Sequence, residues 1–340
     1  MRIYLALILT IVLLPLRGQE LPDLSNYQHN WLIFNPAFAG SRDVLSVNFF
    51  SQDKAILHPD IPAPKYLQIS AHTPFTKSPN NAAGFSYFNE KRPGYGIGGF
   101  NFQESIPLVK HNLATYYSHR VKLSNGAQLS MGVSAIFAIE KTDNNVLDLR
   151  QLNDPQFVMD LDPVLNANFS AGVLYYTNKT FIGFSVPRLL APITVRDNNN
   201  YNIDGDDNTN GDIEILELGP VISGYNLILS AGRKFVQGAV TYYPNFLVNY
   251  IPEAGVLNTN YMVSMNVGIM NEKIWFGTIY KSSQAVALNM NFEILDGKGL
   301  IGLSWDFPLT STTGYFDNAF EIVFRYDNLV RVVTKAPYYF

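Results

Sequence analysis

Residues 260–269 read NYMVSMNVGI and residues 284–293 read QAVALNMNFE. In the first stretch Tyr261, Val263, Met265, Val267 and Ile269 share one face, opposite Asn260, Ser264, Asn266 and Gly268. In the second, Val286, Leu288, Met290 and Phe292 oppose Ala285, Ala287, Asn289, Asn291 and Glu293. A period of two is that of a β-strand, whose successive side chains point to opposite faces. The second face decides which kind of β-protein this is. A soluble sandwich would put charges toward water, whereas here that face is mostly Asn, Ser, Gly and Ala. Small polar groups turned inward and apolar groups turned to lipid are the two faces of a transmembrane barrel strand. NANFSAGVLYY (166–176) and LIGLSWDF (300–307) repeat the design, with Phe169, Val173, Leu303 and Trp305 among their lipid-facing residues. Arginine should therefore be costly at Met265 and better tolerated at Asn266 or Asn289.

Composition agrees. Charged residues make up 15% of the chain and aromatic residues 14%, including 20 Tyr and 23 Phe, while a soluble domain carries about 25% charged residues. The start, MRIYLALILTIVLLPLRGQE, has one early arginine and an apolar run from Ile3 to Leu16. That run is shorter than the ~20 residues a helix needs to span a bilayer, and it suits a secretory signal peptide over 1–18. The chain has no cysteine, which removes disulfides, thiolate metal sites and cysteine nucleophiles. A net charge of −4 with no basic cluster argues against nucleic acid as a partner.

Turns supply the topology. Short connections recur at Ser124-Asn125-Gly126, Thr177-Asn178-Lys179, Val236-Gln237-Gly238, Asn271-Glu272-Lys273 and Leu295-Asp296-Gly297-Lys298. Asn-Gly and Asp-Gly readily take the positive φ of tight hairpins. Between them lie longer connections near 141–164, 188–222, 252–258 and 310–317, the alternation of periplasmic turns with external loops. The expectation is an all-β chain: a transmembrane antiparallel β-barrel of about 14 strands over 41–327, with a C-terminal tail over 328–340. Within 81–104, GFSYFNEK and GYGIGGFNFQ each look like a strand, but only one can cross. The segment 19–40 precedes the first crossing, and its NWLIFNPAFAG does not alternate. A barrel of this size is too wide for its own wall to fill. Trp31, Phe34 and Phe38 would then either plug the lumen or cap its periplasmic mouth.

DDNTNGDIEILE, residues 206–217, fits a calcium loop of the EF-hand type. Asp206, Asn208 and Asn210 would give side-chain oxygens, Asp212 its carbonyl, Glu214 a water-mediated contact and Glu217 both carboxylate oxygens to Ca2+. The flanks are not helical, and Asx-rich loops make such turns without an ion. Gly94, Gly96 and Gly99 match a dinucleotide fingerprint only on paper, since no helix follows. His111 and His119 share a strand face but stand too far apart for one metal. His72 lies two residues from Ser70 with no orienting acid nearby, so no enzyme is expected.

Four stretches carry a family resemblance: YQHNWLIFNPAFAGS (27–41), PKYLQISAHTPF (64–75), FIGFSVPRLL (181–190) and KIWFGTIYKSS (273–283). They are similar to the PorP/SprF family of outer-membrane proteins, tied to the type IX secretion and gliding machinery of Bacteroidota. The resemblance runs in order over most of 26–327. It implies a non-enzymatic barrel in outer-membrane lipids that anchors or docks components of that machinery. Its implied partners are periplasmic ring and linker proteins and an exported surface adhesin or its C-terminal domain. The alternative is an outer-membrane channel or transporter for small or hydrophobic substrates.

Overall fold

The computed structural model describes residues 24–54, 56, 64–92, 108–142, 164–189, 226–253, 256–283, 285–309 and 318–328. The first strands are β1 (Leu45–Asp53), β2 (Lys65–Phe75), β3 (Ser78–Arg92), β4 (Leu108–Lys122) and β5 (Gln128–Thr142). Then come β6 (Val164–Tyr176), β7 (Thr180–Val186), β8 (Leu227–Arg233), β9 (Phe235–Gln237) and β10 (Val240–Glu253). The last are β11 (Val256–Ile269), β12 (Ile274–Lys281), β13 (Ala285–Ile294), β14 (Gly299–Pro308) and β15 (Phe320–Asn328). β8 and β9 are two pieces of one crossing, interrupted at Lys234, and both pair with β10. Each crossing pairs antiparallel with its neighbours in sequence, β1 also pairs with β15, and β10 pairs with β11. The sheet therefore closes into a 14-strand antiparallel barrel with no free edge.

The 81–104 ambiguity resolves toward its first half. β3 pairs along its length with β2 and β4, so GFSYFNEK crosses, and 93–107 lie outside the described residues. Tight turns form where small or Asx residues permit positive φ, as at Gly126 (φ 82°) and at Asp296-Gly297 (φ 52° and 83°).

Burial follows the alternation. In β15, Glu321, Val323, Arg325 and Asp327 are buried while Ile322, Phe324 and Tyr326 are exposed. In β11, Met262, Ser264, Asn266 and Gly268 are buried, and Val263 and Met265 are exposed. Aromatic groups also meet on the outer face. Trp305 stacks on Phe307 at 6.2 Å and meets Phe320 edge-on at 6.0 Å at the long-connection end. On β4, His111 bonds the Tyr87 hydroxyl at 2.7 Å, and His119 bonds Asn81 at 2.7 Å. Eight residues of strand separate these outward polar clusters, about 27 Å along the chain and about 20 Å along the normal at the usual ~40° tilt. No described helix is long and apolar enough to cross a membrane.

Candidate functional site

Among the described residues, 24–43 are the stretch the wall alternation does not account for. Three short helical turns, Tyr27–His29, Trp31–Phe34 and Pro36–Phe38, follow one another without a strand. Asn35 starts the last of them: its Oδ1 accepts the Ala37 N–H at 2.9 Å, and Pro36 occupies the first position, where no N–H is needed. Helices this short do not hold themselves together in water. Packing against the wall holds them here.

Leu24, Tyr27, Trp31, Phe34 and Phe38 are almost fully buried. Trp31 stacks on Phe38 at 5.3 Å, meets Tyr27 edge-on at 5.2 Å and reaches Phe181 of β7 at 5.1 Å. The small polar residues of the inner face grip the segment's backbone. Ser130 donates to the Ala37 carbonyl at 2.7 Å, Ser118 to the Ala39 carbonyl at 2.7 Å and Ser185 to the Phe34 carbonyl at 2.5 Å. A Cβ at Gly132 would collide with the backbone of Pro36 and Ala37, and one at Gly172 would collide with the Asn35 side chain. The glycines of β5 and β6 are absent side chains that make room.

Charged groups fix both ends. Glu321 accepts the backbone N–H groups of Ser25 and Asn26, each at 2.7 Å, and the Gln52 amide at 2.6 Å. Asp306 accepts the Ser25 hydroxyl and pairs with Lys281 at 2.6 Å. At the other end Arg42 pairs with Asp327 at 2.6 Å, Arg325 stands 3.4 Å from the same carboxylate, and Arg120 pairs with Asp43. Glu321 is one residue from the long-connection end of β15, and Asp327 is one residue from its short-turn end. Residues 25–42 therefore run lengthwise along the inner face.

Midway, Tyr27 donates to Asn245 Oδ1 at 2.5 Å, and burial pushes its phenol well above its ordinary pKa, keeping the proton in place. His29 lies 3.0 Å from Asn291 Oδ1 through Nε2 and 3.3 Å from an Arg325 nitrogen through Nδ1. Because guanidinium only donates, Nδ1 must accept, which places the single ring proton on Nε2. Burial, reinforced by the Arg325 charge, lowers the His29 pKa to about 3. Between this stretch and β1, β2 and β15 a cavity of about 20 Å³ remains, lined by His29, Trp31, Arg42, Asn48, His72 and Arg325. It has room for about one water.

The sequence-predicted site residues fare unevenly. Asp206, Asn208, Asn210, Asp212, Glu214 and Glu217 lie outside the described residues, as do Gly94, Gly96 and Gly99. Among the described residues no group of three or more His, Asp or Glu is arranged to hold a metal ion. His72 accepts the Gly40 N–H through Nδ1 at 3.0 Å, which makes it an anchor for the segment. Pattern reading missed Glu321, Arg325 and Asp327. Their signal was present: in EIVFRYD every charge falls on the parity opposite the apolar Ile322, Phe324 and Tyr326.

Stretches far apart in sequence meet here. NPAFAGS touches AHTPF through Gly40 and His72, and SVPRLL sits against the same segment through Ser185. Residues 16–326 match the family described as type IX secretion system membrane protein PorP/SprF. The chain belongs to this family. A PorP/SprF protein with a closed antiparallel barrel is an integral outer-membrane protein, and membership implies interaction with other components of the secretion system. No curated protein matches the chain. Among solved structures, a deletion mutant of the TodX monoaromatic hydrocarbon channel is similar at 10% identity, with a TM-score of 0.42, covering 88% of this chain and 94% of its own. A mutant of the Rh. blastica porin is similar at 8% identity, with a TM-score of 0.31, covering 84% and 99%.

Proposed function

We propose that this PorP/SprF protein is a docking platform of the type IX secretion and gliding apparatus, with its lumen plugged by residues 24–43 and no conducting path of its own. One observation carries the proposal: those residues are buried against the inner faces of strands around the barrel and tied at both ends by charged groups. A closed barrel has no strand edge to offer, so partners must dock through connections or termini. The short turns would face the periplasm, toward ring and linker proteins. The long connections would face outward, toward an exported adhesin. No catalytic role is assigned to the barrel. The 206–217 loop, on the outer side, would bind Ca2+ through Asp206, Asn208, Asn210, Asp212, Glu214 and Glu217 with an affinity of about 10⁻⁴–10⁻³ M.

The test replaces 143–163 and 190–225 with short neutral turns. The barrel should assemble and keep its heat-modifiable migration, while the adhesin is no longer held at the cell surface. Normal surface attachment by the shortened protein would overturn the docking proposal.

A further inference from the structure

We propose that the short-turn end of the barrel is a basic collar that recognises an acidic protein segment in the periplasm. This rests on the proposal that the short turns face the periplasm, and it adds the chemistry of what docks there.

The collar is invisible in the linear sequence, where lysines are dispersed. The fold gathers them. Lys77 lies in the β2–β3 turn, Lys122 at the end of β4, Lys179 in the β6–β7 turn and Arg233 at the end of β8. Lys273 and Lys298 immediately precede β12 and β14. All six are exposed. The acids at this end are mostly used internally: Glu272 pairs with Lys234 at 2.7 Å, Asp43 with Arg120 and Asp327 with Arg42, while the part-exposed Glu293 faces Lys273 and offsets part of its charge. Among the described residues of these turns, Asp296 is the exposed acid. The opposite end has the reverse balance. The connections 143–163 and 190–225 carry five and seven acidic residues in sequence against one arginine each. A net charge of −4 thus conceals two ends of opposite sign.

Strand parity separates a docking collar from lipid anchoring. Lys122 continues the inward series of Tyr116, Ser118 and Arg120, and Lys273 continues that of Trp275 and Ile279. These cations belong to the mouth of the barrel, beneath which a partner can stand. Lipid headgroups surround the outer rim, where the turns present Phe75, Val121 and Phe235. Arg233 sits on that rim, its guanidinium 5.2 Å from the Phe235 ring, and is the one cation of the six assigned to lipid. Like-signed charges around a mouth steer an oppositely charged partner and fix its approach, an effect that salt screens.

The experiment uses the full-length protein in phosphatidylcholine nanodiscs with a labelled poly-glutamate peptide as probe. Binding is expected, and it should weaken about tenfold as salt shortens the screening length below ~8 Å. Reversing Lys77, Lys122, Lys179, Lys273 and Lys298 to Glu together should cost at least another tenfold. Reversing the exposed Lys65, Lys91 and Lys141 at the far end should leave binding unchanged. No binding, or equal loss from both sets, overturns the collar. So does unchanged peptide binding by the five-fold variant when that variant has lost association with phosphatidylglycerol vesicles, which would assign the cations to lipid. Sidedness is read separately: Lys298→Cys gives a single thiol in a chain with no cysteine. Labelling of that thiol from outside intact cells would overturn the periplasmic orientation, while the peptide result would still stand.

Discussion

Neighbouring residues of β11 have opposite surroundings. Val263 and Met265 are exposed on the outer face, whereas Ser264 and Asn266, one step away, are buried against the N-terminal segment. The Ser264 hydroxyl lies 3.1 Å from that of Tyr27, and Asn266 donates to Gln28 at 2.9 Å. Lipid asks of the outer face only that it be apolar, so Val, Met, Phe and Leu interchange there. The inner face has to match one particular segment atom by atom. The outer face is a solvent boundary and the inner face is a packed core made from polar residues.

The largest effect is expected where that core holds charge. Asp327→Ala leaves the buried Arg42 without its carboxylate, and breaking a buried pair from one side costs about 3–5 kcal/mol. Urea unfolding of the barrel refolded into vesicles should show the loss, and the double variant with Arg42→Met should recover part of it.

Next comes arginine on each face. Met265→Arg should cost about 2–4 kcal/mol at a lipid-facing position near the midplane. The alternation alone treats Asn266 as tolerant, and the structure corrects this. Asn266 is fully buried, and a Cβ on the adjacent Gly277 would already strike its side chain. Asn266→Arg should therefore destabilise comparably and, unlike Met265→Arg, expose the N-terminal segment to protease.

A smaller effect is expected at Gly132→Ala. The added methyl meets the Pro36–Ala37 backbone, and overpacking of this kind costs about 1–3 kcal/mol. Deleting residues 24–40 should remove the penalty, because the obstacle is the segment and not the wall.

The last effect, absent at neutral pH, is that of acid. His29 is neutral in the folded chain down to about pH 3, whereas unfolded histidine gains its proton near 6.5. Between those values the unfolded state binds the extra proton, so stability from this group is full above about pH 6.5 and declines as pH falls toward 3. His29→Gln should flatten that part of the profile in urea midpoints taken from about pH 7 to pH 4, and an unchanged slope would remove His29 as its source.

What could be read in advance divides along the same line. The fourteen crossings, their turns and the lipid-facing set were legible because a bilayer imposes one simple demand at every second residue. Most strands begin and end close to where alternation and Asx-Gly turns put them; the exceptions are β3, which ends at Arg92, and the connection expected over 252–258, where β10 and β11 pair as far as Glu253 and Val256. The inner core was less legible. Trp31, Phe34 and Phe38 stood out as a non-alternating apolar run, yet nothing local says that Asn35 lies against Gly172 or that Ser25 is held by Glu321, 296 residues away. Such contacts are set by closure of the whole sheet. The charges of β15 could have been flagged by parity, but not their partners.

Conductance in planar bilayers tests the proposed plug most directly. The full-length protein should show little steady current, and deletion of residues 20–38 should raise it sharply. A large, ungated, substrate-selective current from the intact protein would contradict the plug and make the barrel a channel.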